Sequence, residues 1–276
     1  MPAIETKISP ASADFQKNRE DMLAEVQRFR DVEAKVHATE ESKREKFHGR
    51  GQLLPRERVH LLLDRGSPFL ELSTLCGYKH HDDKDGSLAG GNSIIGIGYV
   101  SGVRCMISAS NSAVKGGTMT PFGVQKTLRI QEIALKQKLP VISLIESGGA
   151  NLLYQAEVFI PGGKTFANQA RLSAAGIPQV TVVHGSSTAG GAYMPGLSDH
   201  VIMVRKKACI LARSGPCTSM RKRWRPRISA SGASAGPSTM ISPAGAAERR
   251  ARPWFSASAR LLAEMMIEAR RPKGGR

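Results

Sequence analysis

The sequence predicts an α/β protein built on parallel strands, and two stretches carry that prediction. Ile177-Pro-Gln-Val-Thr-Val-Val-His184 is an apolar run of strand length, and Gly185-Ser-Ser-Thr-Ala-Gly-Gly-Ala-Tyr193 follows it as a glycine turn opening a short helix. The same design occurs earlier, in Leu139-Pro-Val-Ile-Ser-Leu-Ile-Glu146 followed by Ser147-Gly-Gly-Ala150. Each run follows a helical segment that ends near a proline. Two helix, strand and glycine-turn units in succession imply parallel strands joined by right-handed crossovers. At such turns several backbone N–H groups point into one space with no side chain in the way, an arrangement that suits an oxyanion.

A chain of 276 residues with 41% apolar content is long enough for a substantial core. The first ten residues have no apolar h-region, and no run approaches the roughly 18 apolar residues of a membrane span. A cytoplasmic protein with no membrane partner is the expectation. Cys76, Cys105, Cys209 and Cys217 are scattered without a C-x-x-C pair, so thiols are expected rather than a zinc site or disulfide framework. The formal charge of +17 suggests nucleic acid until its distribution is considered. From Arg213 onward lie 14 of the 40 Lys and Arg but only 3 of the 23 acidic residues, which puts +11 of the +17 in the last quarter.

In chain order, Ala13 to about Arg44 reads as a long amphipathic helix with Phe15, Met22, Val26, Phe29, Val32 and Val36 on one face, capped by Ser12 or Asp14. The charge run Glu40–Lys46 reads as its solvated side. Pro55–Asp64 is a second helix with proline near its start, and Phe69–Thr74 alternates as a half-buried strand. Lys79–Gly91 reads as a flexible, exposed loop. Its His80, His81, Asp82, Asp83 and Asp85 are metal-ligand types, but neighbours on a mobile loop do not converge on one ion. Two strands, 93–99 and 103–109, meet at Ser101-Gly102, a hairpin signal. The glycines at 96, 98 and 102 lack the dinucleotide spacing and no helix follows them, which excludes a Rossmann reading.

Asn111–Thr118 is a small-residue loop carrying one cation, Lys115, and a helix from Pro121 to Lys138 presents Val124, Leu128, Ile133 and Leu135. Asn151–Gly163 reads as a pocket-lining loop, Lys164–Ala175 as a small-residue helix and Asp199–Val204 as another strand. Beyond Arg213, Arg, Ser, Ala, Gly and Pro displace aliphatic residues. Little ordered structure is expected there, apart from a helix over 256–270.

Gly66-Ser-Pro-Phe-Leu-Glu-Leu72, Val114-Lys-Gly-Gly-Thr118, Glu146-Ser-Gly-Gly-Ala-Asn-Leu152, Asn168-Gln-Ala-Arg171 and Thr188-Ala-Gly-Gly-Ala-Tyr193 occur in this order over residues 12–212. Together they resemble the β (carboxyltransferase) subunit of biotin-dependent acyl-CoA carboxylases, specifically its N-terminal half. The resemblance implies a crotonase-like spiral of repeated ββα units that binds acyl-CoA. It implies that Gly190, Gly191 and Ala192 hold the oxygen of a thioester enolate, and that Ser147, Gly148, Gly149 and Ala150 shape the adjoining wall. Lys115 reads either as a partner of a CoA phosphate or as a plain loop cation, and Tyr193 either as lining the substrate site or as packing beneath the turn. The resemblance further implies biotin carried on a partner subunit and serving as the base, a biotin carboxylase or biotin carboxyl carrier partner, hexameric assembly, and no metal. It also implies a truncated chain, inactive alone because the biotin-binding half is missing. Asn151, where many propionyl- and acetyl-type members have Arg, resembles the methylcrotonyl or geranyl branch. After Ala212 the pattern departs from the family, as reading a GC-rich gene out of frame would produce. Residues 1–212 are thus expected to be the domain and 213–276 a basic, unselected tail.

Three other readings compete. A stand-alone crotonase-type hydratase, isomerase or decarboxylase would need a carboxylate acid or base, for which Glu146 and Glu157 are the nearby candidates. A nucleic-acid binder would act through Arg221–Arg227 and Trp224. A nucleophile at Ser186 or Ser187 lacks the G-x-S-x-G elbow sequence. His184 at the strand end reads as a core histidine.

Overall fold

In the computed structural model, residue 6 and residues 8–205, 207–211 and 239–241 are described. A mixed sheet organises the domain. Strands β1 (Leu70–Glu71), β2 (Ser93–Val100), β3 (Val103–Ser110), β4 (Val141–Ser147), β5 (Gln179–Thr188) and β6 (His200–Met203) lie side by side in chain order. β7 (Cys209–Leu211) pairs with the last three residues of β5, and β8 (Thr239–Ile241) pairs antiparallel with β6. β3, β4, β5 and β6 are parallel, as the repeated helix-strand units predict.

The β2–β3 hairpin turns on Ser101 (φ 51°) and Gly102 (φ 75°), the left-handed pair that matches strand twist in a two-residue loop. The Asp64 carboxylate accepts both turn amides at 2.7 Å.

Both faces of the sheet are buried, so neighbouring residues within one strand enter different cores. Ile94 and Ile107 pack with Val59 and Leu62 of helix α3 (Pro55–Leu62); α1 (Ala13–Glu41) and α2 (Arg44–Gly49) precede it. Ile95 and Met106 pack on the other side with Ile130 and Ala134 of α4 (Pro121–Gln137) and Leu172 of α5 (Gln155–Ala174). α6 (Gly190–Gly196) follows β5.

Four expectations change. Of the apolar stripe on α1 only Val36 is buried, whereas Met22 and Phe29 are 63% and 46% exposed, because only the last turns of α1 meet the domain. On α4 Val124 is buried as expected, but the rest of the buried face runs through Gly123, Lys126, Ile130 and Ala134, leaving Leu135 exposed. Lys126 can lie inward because its ammonium donates to the carbonyls of Gly90 and Ser93, and burial lowers its pKa to about 8. The 151–163 stretch is no long loop: after a 3₁₀ turn at Leu152–Tyr154, α5 begins at Gln155 and runs through Pro161. Burial of Val158, Gly162, Thr165, Gln169 and Leu172 overrides the local breaker signal of Pro-Gly-Gly.

The 79–91 loop, last of the four, is anchored rather than loose. Asp83 is buried and accepts the amides of Lys79 and Leu88, while His80 and His81 stay exposed. Cys76 and Cys105 are free thiols, but Cys209 is disulfide-bonded, contrary to the expected thiol. Within the stretch beyond Arg213, where no strand is expected, Thr239–Ile241 forms β8; the expected helix over 256–270 lies outside the described residues, as does the basic tract 221–227. No helix among the described residues is long and apolar enough to cross a membrane.

Candidate functional site

Ligands of open parallel sheets bind beyond the carboxyl ends of the strands, and here the loops after β3, β4 and β5 meet at that edge. The amide of Gly148 donates to the Gly116 carbonyl (3.1 Å), Ser147 Oγ to the Gly117 carbonyl (3.2 Å), and Met119 N–H to the Gly149 carbonyl (2.8 Å). Thr188 Oγ1 closes the set on the Ser147 carbonyl (3.3 Å).

The chain leaves β5 through Ala189, whose φ of 48° and ψ of −122° put a residue with a Cβ in a sparsely populated region. That sharp strand-to-helix turn gives α6 its start. The N–H groups of Gly190 and Gly191 make no hydrogen bond among the described residues. The Ala192 N–H, expected as a third donor, is taken: it closes the first turn on the Ala189 carbonyl at 2.9 Å.

A Cβ at Gly190 would meet nothing nearer than Phe166 Cζ at 3.9 Å. One at Gly191 would press on Ser147 Cβ at 3.2 Å. Tyr193 is 60% exposed, its ring 5.5 Å from that of Phe166.

The earlier glycine turn differs. Gly148 and Gly149 spend their amides on the Gly116 carbonyl and Ser147 Oγ, and no helix opens directly after them. Ser147, Gly148, Gly149 and the half-buried Ala150 therefore form a stitched wall, not a second set of free donors.

Beside this wall opens a cleft of ≈ 460 Å³ lined by Lys43, Lys46, Arg50 and Lys115, with Gln52, Ser112, Glu146, Ser147, Ser186 and Thr188 at its base. Four cations face a single carboxylate. The cleft lining reaches Thr188 but not Gly190 or Gly191, which follow it in the chain; the Cβ direction of Gly190 is toward Phe166 and that of Gly191 toward Ser147 and Ser187. Sequence reasoning misses Lys43 and Lys46, because the charge run Glu40–Lys46 reads as a solvated face, and Arg50, because Gly49-Arg-Gly51 reads only as a helix break. The break between α1 and α2 redirects the charge run to the cleft rim.

Glu146 lies where the β4–β5 register shifts, opposite His184, Gly185 and Ser186. Its carboxylate accepts from Ser112 Oγ (2.9 Å) and Gln52 Nε2 (3.4 Å) and packs where a Cβ on Gly185 would fall, 2.4 Å from Oε1. Below it, Arg58 Nε and His184 Nδ1 are buried without a hydrogen-bond partner. Among the described residues, no group of three or more His, Cys, Asp or Glu is placed to hold a metal ion.

The carboxyl transferase domain family matches residues 46–220. The chain belongs to the carboxyl transferase family. It is 51% identical over 176 residues to a Mycobacterium tuberculosis protein named as a probable biotin-dependent acyl-coenzyme A carboxylase beta2 subunit, covering 64% of this chain and 32% of that one. It is 42% identical over 217 residues to a Drosophila melanogaster protein named as a probable mitochondrial methylcrotonoyl-CoA carboxylase beta chain, covering 77% and 37%. The crystal structure of the P. aeruginosa geranyl-CoA carboxylase beta subunit superposes with a TM-score of 0.73 at 48% identity, over 98% of this chain and 49% of that one. This carboxyl transferase chain thus spans about a third of the length of the curated relatives it matches. Its fold is the crotonase-like α/β fold of carboxyltransferase beta subunits.

Burial first, then the nearby Arg58 charge, holds His184 well below its usual 6.5. The unfolded carboxyl transferase chain therefore binds a proton below pH 6.5 that the folded one refuses. By linkage, stability is retained above pH 6.5 and falls as pH drops below it, by up to about 1.4 kcal/mol per pH unit for one such group. Urea melts at pH 7.5, 6.5 and 5.5 measure the slope, and His184→Gln is expected to flatten it.

Proposed function

We propose that this chain is the acyl-CoA-binding part of the carboxyltransferase of a biotin-dependent acyl-CoA carboxylase, acting on a branched acyl thioester of the methylcrotonyl or geranyl type. The observation that carries the reading is the pair of unpartnered amides at Gly190 and Gly191, which the Ala189 turn places just after Thr188 of a cation-lined cleft. When the α-proton of an acyl-CoA leaves, negative charge collects on the thioester oxygen. Two preorganised N–H donors stabilise that charge more than they stabilise the neutral carbonyl.

Lys43, Lys46, Arg50 and Lys115 supply the positive field for the CoA phosphates. Ser147, Gly148, Gly149 and Ala150 fix the wall, and Tyr193 with Phe166 offers an apolar surface to the acyl chain. Biotin, borne on a carrier subunit, brings the carboxyl group. The carrier or biotin carboxylase subunit and further copies of the full-length chain, in a hexamer, complete the assembly. A cytoplasmic setting and a domain over 1–212 followed by a basic tail belong to the same proposal. The related 12S transcarboxylase structure, 27% identical with a TM-score of 0.60, is described as a hexamer assembly with hydrolysed methylmalonyl-coenzyme A bound.

Isothermal titration of the full chain with CoA, methylcrotonyl-CoA and propionyl-CoA is the direct test. Binding of CoA, with methylcrotonyl-CoA bound more tightly than propionyl-CoA, is expected; absence of heat with all three removes the thioester site.

A second reading is favoured by one observation, the Glu146 carboxylate at the base of the cleft: a self-contained crotonase-type enzyme with Glu146 as general base. The two readings differ in Glu146→Gln. A general base lost in this way costs about 10²–10⁴ in rate. The carboxyltransferase reading expects less than about tenfold loss of carboxyl transfer in an assay reconstituted with the biotin-binding half and the partner subunits, because Glu146 is held by Ser112 and Gln52 beside the wall.

A further inference from the structure

Lys115 faces two ways. Its side chain lines the basic cleft, yet its ammonium is paired with Asp82, across a second and much smaller cavity of ≈ 40 Å³. The other Asp82 oxygen accepts the Tyr154 hydroxyl at 2.9 Å. Lys115 and Tyr154 together hold the Asp82 carboxyl below its usual range. Among the described residues, Lys43, Lys46 and Arg50 make no salt bridge, so Lys115 is the one cleft cation whose charge a carboxylate already claims.

The backbone under Lys115 is fixed. Lys115, Gly116 and Gly117 have φ of 46°, 64° and 67°, and the carbonyls of Gly116 and Gly117 are bonded by Gly148 N–H and Ser147 Oγ. Redirecting the ammonium is therefore a matter of side-chain torsions alone. Lysine suits that role, being a compact charge with three donors on a flexible four-carbon stem. The ion pair itself is weak, since its side chains are 38% and 33% exposed and water screens them.

We propose that Asp82 is an affinity-determining residue for the anionic end of the ligand: it holds the Lys115 ammonium away from the cleft, and an entering phosphate must take that ammonium from it. The inference rests on the reading that the cleft receives the phosphates of CoA. Tyr154 secures the carboxylate, so that departure of Lys115 leaves Asp82 bonded in place. A diphosphate carries more charge than one carboxylate and can use all three ammonium protons, which lets the exchange proceed.

The test is titration calorimetry of the full chain and four variants with CoA and with pantetheine, which lacks the phosphates. Asp82→Asn keeps an oxygen to accept from Tyr154 but removes the charge. It is expected to bind CoA about two- to fivefold more tightly and to leave pantetheine unchanged. Lys115→Met is expected to weaken CoA binding about three- to tenfold. In the double variant the gain from Asp82→Asn is expected to vanish.

A gain that persists without Lys115 reports only the loss of a nearby negative charge and overturns the inference. So does Asp82→Asn binding with unchanged or lower affinity. Lys46→Glu separates this result from the parent reading. If wild type binds CoA and Lys46→Glu abolishes it while Asp82→Asn changes nothing, the cleft stands and the Asp82 role falls. If wild type binds no CoA, both fall. Matching thermal melts for each variant exclude misfolding as the cause.

Discussion

Gly190→Val is expected to lower carboxyl transfer by at least about 10²-fold while the protein stays folded. The two effects separate because the space at Gly190 is open toward the chain's own atoms, with Phe166 Cζ the nearest at 3.9 Å from a Cβ. Gly190 also has an ordinary negative φ, so a branched side chain at the first position of α6 needs no backbone strain. On the proposed function, the valine crowds a thioester that approaches the free amides of Gly190 and Gly191. Losing one oxyanion donor costs about 10²–10³ in kcat, and blocking both removes at least that. The assay is acyl-CoA-dependent carboxyl transfer with the biotin-binding half of the carboxyltransferase and the partner subunits supplied, paired with a thermal melt. Activity within tenfold of wild type would remove the oxyanion role from these glycines.

Gly117→Ala is expected to produce the largest loss of stability among conservative changes at the site. Gly117 and Gly116 have nearly the same left-handed φ, 67° and 64°, so an alanine at either costs a similar backbone penalty of about 1–2 kcal/mol. Their surroundings differ. A Cβ at Gly116 meets nothing within 4 Å, whereas one at Gly117 falls 2.5 Å from the carbonyl oxygen of Glu146, which belongs to the backbone of β4 and cannot swing aside. Gly116→Ala is therefore expected to cost about 1–2 kcal/mol and Gly117→Ala about 3 kcal/mol or more. Urea unfolding of the two variants side by side measures the difference, and equal losses would show that β4 can shift to accommodate the methyl group. The Gly117 variant is also expected to weaken CoA binding, since the Gly117 carbonyl accepts from Ser147 Oγ and so ties the Lys115 turn to the wall.

Much of the fold is legible because it is written in local patterns. The apolar runs at 141–147 and 179–188, the Ser101-Gly102 hairpin and the helix after Pro121 depend on periodicity and turn chemistry within a few residues. The Gly190-Gly191 pair is legible for the same reason. Its third expected member, Ala192, is not, because whether an amide is free depends on how the first turn of the helix closes. Nor can the left-handed Ala189 be read, since alanine gives no sign of that conformation. Lys43 and Lys46 read as a solvated helix face and Arg50 as part of the Gly49-Arg-Gly51 helix break, because neither a charge pattern nor a breaker reveals which cavity it borders.

The sequence by itself determined the order and type of the main elements, the two glycine turns and the family motifs, all of which rest on near-neighbour chemistry. Tertiary structure alone decided which amides are spent and which are left free. It also brought Asp82 to Lys115 and Arg58 beneath Glu146, and carried α5 through Pro161. Those outcomes depend on contacts between residues far apart in the chain, where the cost of burying a polar group or the gain from packing a face outweighs any local preference.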